Sequence, residues 1–125
     1  MAGLTAETPH PTAVTLHQAS RLLEIAFADG ASYQLPCEYL RVLSPSAEVR
    51  GHGVGNEVLQ VGKINVNIKA IEPVGHYALK LVFDDGHDSG LFSWQYLYEL
   101  GANYQSYWQK YLNELAAAGA SREPL

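Results

Sequence analysis

The chain has 125 residues, a length suited to one domain, and at that size about two-thirds of the extended surface can be buried in a self-supporting core. A hydrophobic fraction of 47% with 17% charged residues excludes intrinsic disorder. The net charge of −5 and a pI near 5.4 exclude the basic stripe that displaces counterions from nucleic acid.

Residues 1–12, with Pro9 and Pro11 and no periodicity, read as a mobile arm lacking the basic start and apolar centre of a secretory signal. Ala13–His17 is a β-rich run, and Gln18 to Ser20 turn it into a strand over Arg21–Phe27. Asp29-Gly30 is a tight turn, Ala31–Leu35 the returning strand, and Pro36 suits the first turn of a short helix, Cys37–Val42. Ser44 to Gly62 breaks the pattern with Gly51, Gly53, Gly55 and Gly62. It lacks the G-x-x-x-x-G-K-[ST] spacing of a phosphate loop and reads as a long surface loop.

Ile64–Glu72 alternates as a strand with one wet face, and Pro73 to His76 turn it into a second strand, Tyr77–Phe83. Asp84 to His87 make another turn, Leu91-Phe92 return, and Ser93 caps a helix over Trp94–Leu100 that Gly101 is placed to end. Asn103 is placed to cap a last helix, Tyr104–Ala118, with Tyr104, Trp108, Tyr111, Leu112 and Leu115 at helical spacing. Gly119–Leu125 is expected to fray into a disordered tail.

One unit occurs twice. Leu23, Ile25, Phe27, Asp29 and Gly30 match Leu79, Leu81, Phe83, Asp85 and Gly86 at a constant offset. After one extra residue in the later copy, Leu35, Tyr39, Leu40 and Leu43 match Phe92, Tyr96, Leu97 and Leu100. The expected fold is therefore α+β. A mainly antiparallel sheet of about six strands, curved or partly closed, carries a C-terminal helix, with a strand–turn–strand–helix pseudo-repeat in a single domain over residues 13–118.

Asp84, Asp85, His87 and Asp88 crowd one turn. Carboxylates beside a histidine suit a divalent cation or acid–base work, whereas a polar hairpin tip needs the same residues for turn geometry alone. His10, His17, His52 and His76 are scattered and lack the helical spacing of a zinc motif. Cys37, the one cysteine, forms no internal disulfide and reads as a small half-buried hydrophobe. Ser44 and Ser46 have no glycine elbow to mark a nucleophile. The dense set Trp94, Tyr96, Tyr98, Tyr104, Tyr107, Trp108 and Tyr111 serves either the core alone or the core plus an interface.

The phrases LEIAFADG, LPCEYLRVLSPSAEVRGHG and INVNIKAIEPVGHYALKLVFDDGHDSGLFSWQYLYELG resemble the gamma-butyrobetaine hydroxylase-like N-terminal domain, in its small stand-alone bacterial form of unknown function, over about residues 12 to 112. In the hydroxylases the resemblance implies a structural zinc, held by C-x-C-x-x-C after a Leu-Arg pair and by a histidine in the later hairpin. Here the three cysteine positions fall on Ser44, Ser46 and Val49, and only His87 matches. No zinc site and no cofactor are therefore expected. Relatives fused to P-loop ATPases linked to iron–sulfur cluster assembly imply an accessory or docking role.

The expectation is a non-enzymatic cytoplasmic interaction module with a protein partner, tied to iron–sulfur or oxygenase machinery and using neither nucleic acid nor membrane. Its docking face is expected around the 44–62 loop and the last helix, with Arg41, Arg50, His52, Tyr107, Trp108 and Tyr111 as contacts. The alternative is a small-ligand or metal-binding protein built on Asp85, His87 and Asp88.

Overall fold

The computed structural model describes residues 8–46, 49 and 58–124. The first half contributes β1 (Pro11–His17), β2 (Leu22–Phe27), β3 (Ser32–Pro36) and α1 (Cys37–Val42). The second contributes β4 (Ile68–Val74), β5 (Ala78–Phe83), β6 (Leu91–Ser93), α2 (Trp94–Ala102) and α3 (Tyr104–Ala118).

The strands form two antiparallel three-stranded sheets, ordered β1-β2-β3 and β4-β5-β6, and not the single six-stranded sheet expected. They do not close into a barrel. Alternation buries Leu23, Ile25 and Phe27 on β2 and Leu79, Leu81 and Phe83 on β5, and all six enter one cluster with Leu35, Tyr39, Leu40, Phe92, Leu97 and Leu100. The two sheets therefore share a core without sharing a ladder. Side-chain amides bridge the β1–β2 turn to the start of β4. Gln18 Nε2 donates to the Ile68 carbonyl at 3.2 Å, and Asn67 Nδ2 donates to the Gln18 carbonyl at 3.0 Å. β4 begins only at Ile68 because Ile64 and Asn65 form a turn, with the Ile64 N–H bonded to the Arg122 carbonyl. Period-two alternation cannot tell such a turn from the start of a strand.

The central turn of each half has the same bonds. The Phe27 N–H donates to the Ala31 carbonyl and Gly30 N–H to Phe27, as Phe83 N–H does to His87 and Gly86 N–H to Phe83. Gly30 and Gly86 both have φ of 91°, a region that favours glycine. The register also shifts opposite Phe27 and again opposite Phe83.

The helix ends differ in part from expectation. Pro36 stands at the N-cap of α1, one place before its first turn. Ser93 caps α2 by accepting from the Tyr96 N–H at 3.1 Å. Gly101 does not end α2, which runs to Ala102. A Cβ on Gly101 would collide with the Tyr33 ring, so glycine is there for close packing. Asn103 caps α3 without a side-chain hydrogen bond, its amide donating instead to the Glu99 carbonyl. Gly119, at φ 63°, closes α3 with the paired bonds Gly119 N–H to Ala116 and Ala120 N–H to Leu115 of a Schellman motif.

Both termini are tied in beyond the expected limits. Pro11 and Thr12, expected in the arm, belong to β1. Part of the expected tail is bonded to the rest of the fold. Ser121 and Arg122 carbonyls accept from the Gly62 and Ile64 N–H groups at 2.9 and 3.0 Å. Arg122 also makes a two-pronged pair with buried Glu38, at 2.8 and 2.7 Å, and covers the Trp108 ring at 5.2 Å from its centre.

Candidate functional site

An open groove of about 810 Å³ lies between the C-terminal end of α1, the 58–60 segment and the outer faces of α2 and α3. Its apolar wall includes Val42, Leu43, Val49, Val58 and Leu59. Tyr96, Tyr107 and Tyr111 contribute rings, and Glu99, Lys110 and Glu114 contribute charge.

The tyrosine hydroxyls brace the walls. Tyr96 donates to the Leu43 carbonyl at 2.6 Å, Tyr107 to Glu99 Oε2 at 2.6 Å, and Tyr111 to the Gln60 carbonyl at 2.7 Å. Burial pushes the Tyr111 phenol up to about 12, so it remains a hydrogen-bond donor near neutral pH. The charged residues and Val58, 52% exposed, form the accessible part of the groove.

Of the expected docking residues, Tyr107 and Tyr111 line this groove. Trp108 is not among its lining residues and lies beneath Arg122 instead. Arg41 is turned inward: it is 7% exposed, with Nε donating to Asp85 Oδ2 at 2.8 Å and Nη1 to Gln60 Oε1 at 3.0 Å. Its charge therefore joins α1 to the β5–β6 turn. Arg50 and His52 lie outside the described residues. Val58, Lys110 and Glu114 line the groove without having been among the expected contacts; Val58 lies inside the 44–62 loop, and the other two lie on the polar side of the last helix.

The alternative ligand set does not converge. Asp85 Oδ2 accepts from Arg41 and from Lys63 Nζ at 2.7 Å, and its Oδ1 accepts from the His87 N–H at 3.2 Å. Burial alone would raise the Asp85 carboxyl. The bonds from Lys63, the His87 N–H and Arg41 outweigh it and hold the group below the usual carboxylate range. Asp88 is exposed, 3.9 Å from Lys80. His87 is 4% exposed and directs Nε2 to Ser44 Oγ at 2.8 Å and Ser46 Oγ at 3.3 Å. Among the described residues no three His, Cys, Asp or Glu side chains form a metal-holding group. Cys37 is buried, and burial raises its thiol.

The segment after α1 and the second hairpin thus meet at Ser44, Ser46 and His87, residues far apart in sequence. A family model described as gamma-butyrobetaine hydroxylase-like, N-terminal, matches residues 14–98. The chain belongs to this family. Two proteins with NMR solution structures share 57% and 58% identity with the family member described here, at TM-scores of 0.83 and 0.81. The matches cover 94% and 98% of this chain and 93% of each of the other two. A crystal structure of a protein of unknown function in the DUF971 family, from Acidithiobacillus ferrooxidans ATCC 23270, shares 36% identity at a TM-score of 0.65. That match covers 78% of this chain and 99% of the other. No curated protein matches. Among the described residues no helix is long and apolar enough to cross a membrane.

Proposed function

We propose that this family member is a non-catalytic docking module that works in the cytoplasm as an accessory to iron–sulfur or oxygenase machinery. The groove beside α3 carries the docking part of the reading. It offers an apolar wall and tyrosine rings, the surface chemistry of protein anchors, and its hydroxyls are already engaged in bracing the walls. The scattered directions of Asp85, His87 and Asp88 favour binding over acid–base chemistry. The link to iron–sulfur or oxygenase machinery rests on the family resemblance alone.

The partner that fits is a short apolar protein segment flanked by a basic side chain. Glu99 and Glu114 outnumber Lys110 among the charged groups lining the groove, and the chain carries a net charge of −5. Val58→Asp tests this, because Val58 is 52% exposed and the change should leave the thermal midpoint nearly unaltered. A partner captured by the wild type should bind Val58→Asp roughly thirtyfold more weakly, the equivalent of about 2 kcal/mol. Equal binding by both proteins would remove the groove from the reading.

We also infer that the two halves are copies of one strand–turn–strand–helix unit. The matched turn bonds, the matched glycine φ values and the matched register shifts support this. An experimental structure in which residues 23–43 and 79–100 fail to superpose would rule it out.

A further inference from the structure

A buried cluster follows α1 and borders the groove at Ser44 and Val49. Ser44 is 0% exposed, Ser46 6%, His87 4% and Val49 6%. The Ser46 N–H donates to Ser44 Oγ at 3.4 Å, and the Val49 N–H to the Ser46 carbonyl at 3.1 Å. Gly90 makes room for the cluster, since a Cβ there would collide with Ser44 Oγ. These are the positions where the family resemblance implies a zinc ion, and the residues present do not fit one. Valine has no donor atom, and a neutral serine hydroxyl is a poor ligand. His87 Nε2 lies instead 2.8 Å from Ser44 Oγ, in direct hydrogen-bond contact, and 3.3 Å from Ser46 Oγ.

We infer that Ser44, Ser46 and His87 form a metal-independent clasp that closes this corner of the fold by hydrogen bonds where a zinc ion would otherwise close it. The clasp joins the segment leaving α1 to the β5–β6 turn, and Asp85 continues it by accepting from the His87 N–H while bound to Arg41 and Lys63. Ser44 and Val49 also line the groove, so the clasp fixes one of its walls. The inference does not depend on what occupies the groove.

Zinc content and thermal midpoint, each measured with and without EDTA, test it in the full chain. The wild type should purify with far less than one equivalent of zinc and keep its midpoint in EDTA. Ser44→Ala should lower the midpoint by several degrees, equally in both buffers, and shift the His87 imidazole nitrogen resonances as Nε2 loses its nearest hydroxyl. The triple variant Ser44→Cys, Ser46→Cys, Val49→Cys should bind one equivalent of zinc through the three thiolates and His87, and its midpoint should become EDTA-sensitive. Stoichiometric zinc in the wild type with an EDTA-sensitive midpoint would overturn the clasp. A folded triple variant that takes up no zinc would overturn its equivalence to a metal site. If the triple variant does not fold, the wild-type zinc content and the Ser44→Ala resonances decide: unchanged imidazole resonances would overturn the clasp.

Discussion

Asp85 shows how little a residue's type says about its role. In sequence it is one of three aspartates in a turn, equally suited to a cation or to solvent. In the fold its two oxygens take three donors from α1, from the 63 position and from its own turn. Its carboxyl is held below the ordinary range, so its stabilising contribution is complete above the unfolded value of about 3.9 and is lost as pH falls through the lower folded value. Asp85→Asn should therefore be less stable than the wild type at pH 7, with the difference shrinking below about pH 4. Urea titrations at a series of pH values check this. A stability difference that stays constant down to acid pH would separate the loss from the ionised carboxylate. Arg41 was legible as a cation beside a loop, but its partner 44 residues away was not.

At the scale of elements, propensity and packing disagree at Gly101. Inside a helix, replacing glycine by alanine ordinarily stabilises by about 1 kcal/mol. Gly101 lies within α2 with the Tyr33 ring against its backbone, and an added methyl group must displace that ring. Tyr33 in turn packs edge-on to Phe27 and Tyr98, so the ring has little freedom to yield. Gly101→Ala should lower the thermal midpoint in the wild type and raise it in a Tyr33→Ala background. A rise in both backgrounds would show that the helix end, and not the aromatic contact, decides the residue. Ser93 and Gly119 behave as local rules predict, because each cap is a contact with residues three to five positions away. Gly101 does not, because its constraint comes from Tyr33 on β3, far away in the chain.

At the scale of the whole molecule, the C-terminal segment is a strap over the α1–α3 seam. Arg122 is paired to Glu38 and lies over Trp108, and the backbone at 121–122 is bonded to residues 62 and 64. Removing residues 121–125 leaves the Glu38 carboxylate, 7% exposed, without its guanidinium. Losing a hydrogen bond to a buried charged group costs about 1.5–3 kcal/mol. The truncated chain should melt several degrees lower, and tryptophan emission should move to the red as Trp108 meets water. An unchanged midpoint and spectrum would show the strap to be incidental. Sequence by itself determined the α+β class, the strands β2 and β5 with their buried faces, the two glycine turns and the last helix. Each of these depends on periodicity or on contacts a few residues long. Only the tertiary structure decided that there are two sheets and not one, that the tail is bound, that Arg41 faces inward, and that Ser44 meets His87. All four are pairings between groups distant in the chain, set by which surfaces come together around the shared core, and no local pattern encodes them.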